Sequence, residues 1–119
     1  MARTSAQPDV VIGGVSVAAG THAIVDIPVA PLYTHDDLSL SVQVIRGRQP
    51  GPTLFVSAAV HGDEINGVEV IRRLVQHNAL RRLRGTLLAI PIVNVYGFLN
   101  NTRYLPDGRD LNRSFPGSA

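Results

Sequence analysis

The sequence predicts an α/β fold built on a mixed sheet, in which antiparallel strands precede a parallel β-α-β unit. Three observations carry that expectation. Residues 23–29 and 38–44 alternate apolar and polar side chains with the period of two that marks a half-buried strand. Residues 53–60 and 86–93 are near-continuous apolar runs, the pattern of strands covered on both faces. Between those two runs the apolar residues recur at helical spacing instead.

Taken in order, Val10-Val11-Ile12-Gly13-Gly14-Val15-Ser16-Val17 has room for a short strand. Ala23, Val25, Ile27 and Val29 then alternate with His22, Asp26 and Pro28; Leu38, Leu40, Val42 and Val44 alternate with Ser39, Ser41 and Gln43. The turn-rich stretch between them contains Pro31, His35 and Asp36, and strands patterned in this way are commonly antiparallel. Arg46-Gly47-Arg48-Gln49-Pro50-Gly51-Pro52 reads as a connector. After the run 53–60, Val68, Val70, Ile71, Leu74 and Val75 share one arc of a helical wheel, opposite Glu69, Arg72, Arg73 and Gln76. Glu69 stands four residues before Arg73, a spacing that favours an ion pair. Gly85 introduces the run 86–93, and a strand-helix-strand crossover of this kind is nearly always right-handed.

The chain is expected to form a single domain over residues 1–119, with an antiparallel region at 1–50 and the β-α-β unit at 51–119. Its 119 residues are 45% hydrophobic and 17% charged, which excludes disordered and collagen-like classes. Neither apolar run approaches the ~20 residues of a membrane-spanning helix, so no membrane partner is expected. The N-terminal segment lacks the apolar stretch of a secretory signal, and cysteine is absent, so a cytoplasmic location without thiol chemistry is expected. All eleven basic residues are arginine, yet the net charge is only +2. Arg72, Arg73, Arg81, Arg82 and Arg84 cluster without interleaved aromatics, which reads as a solvated face and not as a nucleic-acid surface.

In open α/β sheets ligands gather beyond the carboxyl ends of the parallel strands. Two polar segments lie there. His61-Gly62-Asp63-Glu64 follows the first run, and its H-x-x-E spacing lets an imidazole and a carboxylate meet one metal ion; nitrogen with oxygen donors suits zinc. A polar cap on the following helix would use the same residues. The second segment, Asn94 to Gly117, is a long loop that includes Arg103, Asp107, Arg109, Asp110, Asn112 and Arg113. Arginine suits bidentate recognition of a carboxylate, and the same loop could equally close on itself through Asp–Arg pairs.

Together, His61-Gly62-Asp63-Glu64 and Asp110-Leu111-Asn112-Arg113, each beyond its own strand, resemble the succinylglutamate desuccinylase/aspartoacylase family of zinc amidohydrolases, related to the carboxypeptidase A class. The resemblance covers about Gly51 to Gly117. It implies a carboxypeptidase A-like (phosphorylase/hydrolase-like) fold and hydrolysis of the amide of an N-acyl amino acid or related small carboxylate. It also implies His61 and Glu64 as zinc ligands, Arg103 as the group that polarises the scissile carbonyl, and Asn112 and Arg113 as substrate-binding residues. Leu105-Pro106-Asp107-Gly108-Arg109 lengthens the loop by about two residues relative to aspartoacylase, which makes Arg109 a competitor for the substrate and carbonyl roles.

The family's third zinc ligand and catalytic glutamate have no match in these residues, so an incomplete, N-terminal portion of the domain is expected. A second chain in a homo-oligomer is one way to complete the site. His77 lies too far along the helix to serve, and His22 and His35 belong to the antiparallel half. The rival expectation is a non-catalytic module of the same fold that binds carboxylate or phosphate.

Overall fold

The computed structural model describes residues 7–31, 37–105 and 107–115. His35 and Pro106 therefore lie outside the described residues. The elements are β1 (Val10–Ile12), β2 (Val15–Val17), β3 (His22–Pro31), β4 (Asp37–Arg46), β5 (Gln49–Ser57), α1 (Asn66–Val75), β6 (Arg84–Ile90) and α2 (Val95–Leu99). Short 3-10 turns span Asn78–Arg82 and Leu111–Arg113.

The α/β expectation with a mixed sheet holds. Strands β1 and β2 form a small antiparallel hairpin, and the main sheet runs β3-β4-β6-β5. In it β3 pairs antiparallel with β4, β4 antiparallel with β6, and β5 parallel with β6. Residues 10–17 thus form two strands around Gly13-Gly14 where one was expected. Both glycines have positive φ, 54° and 78°, the backbone a tight hairpin turn requires.

Pairing of Val44 with Leu88 and of Ile45 with Leu87 sends alternate side chains to opposite faces, so the sheet carries a core on each side. One cluster joins Val17, Val25, Val42, Val44 and Ile90; the other joins Ile45, Leu87 and Ala89 to Ile71 of α1. Arg46 was expected in a connector, but it ends β4 and is buried, where every donor needs a partner. Its guanidinium donates to the carbonyls of Val17 and Pro8 at 3.0 and 3.1 Å and to Thr86 Oγ1 at 3.3 Å, which pins the hairpin to the sheet.

Three further expectations need correction. The run 53–60 is not covered on both faces: β5 is an edge strand, with Leu54 61% and Phe55 51% exposed, and it ends at Ser57. Val70 belongs to the apolar arc by sequence yet is exposed, because Ile71 alone of α1 is fully buried against the sheet. The segment after β6 is not simply a loop, since Asn94 caps α2 and Asp110 caps the 3-10 turn at Leu111–Arg113. None of the described helices is long and apolar enough to cross a membrane.

Candidate metal centre

The parallel pair delivers its two polar segments to one place. Beyond β5 the chain stays stitched to the segment after β6: Ala58 N–H donates to Ile90 O, Val93 N–H to Ala58 O, and Asn94 N–H to Ala59 O, at 3.0 to 3.1 Å. Ala59 has φ of 53°, a strained value for a residue with a Cβ, and there the chain turns out of the ladder just ahead of His61. Gly62 then packs backbone against backbone on α2. A Cβ on Gly62 would fall 2.1 Å from the carbonyl carbon of Gly97, so only glycine fits.

His61 is buried, 7% exposed, and both ring nitrogens face carboxylates. Nδ1 lies 2.7 Å from Glu64 Oε1, and Nε2 lies 2.8 Å from Asp110 Oδ1. Arg103 reaches both acids, with Nη1 3.6 Å from Glu64 and Nη2 3.7 Å from Asp110. Arg113 adds a looser approach, Nε at 3.9 Å from Asp110 Oδ2. The Asn112 backbone N–H donates to Asp110 Oδ1 at 2.9 Å.

These neighbours shift the titrating groups in opposite senses. The hydrogen bond with Glu64, aided by Asp110, raises His61 above its usual range against the opposing effects of burial and of the Arg103 charge. For Asp110 burial works upward, but hydrogen bonds from His61 and from the Asn112 backbone, with the charges of His61 and Arg103, hold it below the usual carboxylate range.

The expected site residues therefore separate into two groups. His61, Arg103 and Arg113 gather around Asp110, Glu64 joins them through His61 and Arg103, and Asn112 sits beside Asp110 through its backbone. Arg109 does not join them. It forms an ion pair with Asp107, whose carboxyl is held low by the Arg109 backbone N–H and side chain. His77 caps the turn at Asn78–Arg82, and His22 bonds to Gln43 on the far strands. Arg72 and Arg73 are taken up by Glu69 on the face of α1.

Two roles lie outside the sequence reading. The expected Asp–Arg pairing of the loop is present for Asp110 with Arg103 and Arg113, but that Asp110 also meets Nε2 of His61 is not expected from sequence; a carboxylate so near a paired Asn and Arg was the available signal. Asn94 is expected only as the first residue of the polar loop, with no part of its own, and it is almost completely buried.

The donor set can be tested against zinc. A neutral imidazole nitrogen and a carboxylate oxygen are both good zinc donors, and zinc-bound histidine characteristically gives its other N–H to a carboxylate. Asp110 already stands at that second nitrogen. Nδ1 and Glu64 stand 2.7 Å apart as hydrogen-bond partners, and a metal ion held by both would take the place of the proton between them. Glu64 is exposed enough to move. Among the described residues no group of three such donors is preformed. The residues present fit two ligands of a zinc site.

The family model of the succinylglutamate desuccinylase/aspartoacylase catalytic domain matches residues 50–119. The chain belongs to this family. Over 79 residues it is 33% identical to an N-alpha-acetyl-L-2,4-diaminobutyric acid deacetylase of Halomonas elongata, covering 66% of this chain and 23% of that protein. Among solved structures it resembles an aspartoacylase family protein of Mesorhizobium loti, with 31% identity and a TM-score of 0.68 over 85% of this chain and 32% of that one. It also resembles the product-bound ectoine utilization protein EutE (DoeB) of Ruegeria pomeroyi, with 29% identity and a TM-score of 0.67 over 82% and 30%. As a member of the succinylglutamate desuccinylase/aspartoacylase family, the chain has the carboxypeptidase-like architecture, and it spans a quarter to a third of these relatives' lengths.

Proposed function

We propose that the whole protein is a zinc-dependent deacylase that hydrolyses the amide bond of an N-acyl amino acid or related small carboxylate, and that this chain supplies part of its centre. The observation that carries the reading is the single imidazole of His61 held between Glu64 and Asp110, with Arg103 reaching across both acids. Family membership and the deacetylase relative support the reaction class.

In this reading His61, through Nδ1, and the Glu64 carboxylate hold the zinc. Bound there, zinc supplies Lewis-acid polarisation of a carbonyl and a water of lowered pKa. Asp110 accepts the Nε2–H of His61, which fixes the tautomer and ring orientation and keeps Nδ1 aimed at Glu64. Arg103, partly exposed beside the pair, stabilises negative charge on the amide oxygen as it develops. Arg113, 87% exposed and only loosely drawn to Asp110, has its guanidinium available for a substrate carboxylate, with Asn112 next to it. Arg109 is the weaker candidate for that role because Asp107 already holds it.

The test is an assay of the purified whole protein against a panel of N-acyl amino acids, before and after metal removal and with zinc restored. Hydrolysis that disappears on chelation, returns with zinc and is lost in His61→Ala supports the reading. No hydrolysis across the panel, or undiminished turnover after chelation, contradicts it.

A further inference from the structure

We propose that Asn94 is a positioning residue whose buried amide sets the metal pair His61 and Glu64 in register with Arg103. What the register is for rests on the deacylase reading; the register itself does not. Asn94 is 1% exposed and lies between β6 and α2. Its side chain makes three bonds in three directions. Oδ1 accepts the Gly97 N–H at 3.0 Å, which caps α2. Nδ2 donates to Val60 O at 3.2 Å, the carbonyl directly ahead of His61, and toward Arg103 O at 3.5 Å. Its backbone adds the bond from Asn94 N–H to Ala59 O.

A helix cap needs only the oxygen, which serine or aspartate supplies equally well. What asparagine adds is a pair of N–H donors, and here they bridge the two segments that carry the site. A buried amide with nothing to donate to would be costly, so both donors are directed at carbonyls. Gly62 packs directly on Gly97 beside this bridge, and backbone bonds hold the strand ends together, so the amide's own contribution is to tie the Val60 and Arg103 carbonyls to one another. Asn94 touches neither His61 nor the Arg103 side chain in these bonds, so its action is through the backbone on either side.

Asn94→Ser separates capping from bridging, because it keeps an oxygen for the Gly97 N–H and removes both amide donors. The experiment compares wild type and Asn94→Ser in the 119-residue chain by NMR, followed by titration with zinc alone. In Asn94→Ser the Gly97 amide should stay protected from exchange. The Arg103 Nε–H resonance should shift, and its contacts to Glu64 and Asp110 should vanish. Zinc affinity should fall by about 10–100-fold, the usual effect of losing an orienting group. Unchanged Arg103 signals in the folded variant overturn the proposal. Absence of zinc binding by wild type counts against the zinc reading and leaves the NMR comparison to decide on Asn94. Should Asn94→Ser fail to fold, the wild type decides: scalar couplings from the Asn94 amide to the Val60 and Arg103 carbonyls support the bridge, and their absence refutes it.

Discussion

Nε2 of His61 stands 2.8 Å from Oδ1 of Asp110, a residue 49 positions further along the chain. The bond joins the segment beyond β5 to the segment beyond β6, so the order of the parallel pair is what brings one ring between two acids. Glu64 is the nearer acid in sequence and the more exposed; Asp110 is the more buried and also accepts the Asn112 N–H. That asymmetry suits Glu64 to bind an ion and Asp110 to hold the ring.

Asp110→Asn should therefore leave the ring in place but weaken its orientation and basicity. Zinc affinity of the chain, measured by competition with a chromophoric chelator, is expected to drop about 10–100-fold. Equal affinity in the variant would remove Asp110 from the account.

Arg103 and Arg113 should separate kinetically in the whole protein. Arg103→Ala is expected to lower kcat, because charge on the amide oxygen appears only in the transition state, while Arg113→Ala should chiefly raise KM. Arg109→Ala should do neither, since Asp107 already engages that side chain. Steady-state kinetics on all three variants checks this, and loss of turnover in Arg109→Ala with normal Arg103→Ala would exchange the two roles.

Gly62→Ala should destabilise the fold by at least the ~1–3 kcal/mol typical of overpacking, because the added methyl meets the rigid backbone of Gly97. Chemical denaturation with a two-state fit measures it. A variant as stable as wild type would mean that the segments are not in the close contact described.

Glu69 provides the pH test. Hydrogen bonds from Arg72, then from Arg73, hold its carboxyl down at about 2 against an ordinary 4.5. A depressed folded-state value means a contribution that is present above pH 4.5 and is lost as the pH falls toward 2. Glu69→Gln should flatten the decline of Tm across that window, by a small amount because the pairs are exposed. Identical Tm profiles for variant and wild type would show that the pairs contribute nothing.

The strands were legible because alternation at Ala23–Ile27 and Leu38–Val44 and the run ahead of Ile90 follow which faces are buried; Val29, expected in the same series, is 57% exposed at the register shift after Pro28. The exposure of Leu54 and Phe55 was not, because an apolar run reports hydrophobicity and not whether a neighbour is present to cover it. The short α2 was hidden for a related reason: five residues hold no helical period, and its cap is a single buried Asn94. At the site, the His61–Glu64 spacing of three is local and could be read along the chain. The partnership of His61 with Asp110 depends on the sheet order and becomes visible only once β5 and β6 lie side by side.

The most direct test of the central claim is a calorimetric titration of the 119-residue chain with zinc, comparing wild type with the His61→Ala/Glu64→Ala double variant under identical conditions. Two donors predict binding weaker than a three-ligand site would give, saturating at one ion per chain, and no binding by the double variant. Equal zinc uptake by the two proteins would contradict the assignment of His61 and Glu64 as the metal pair.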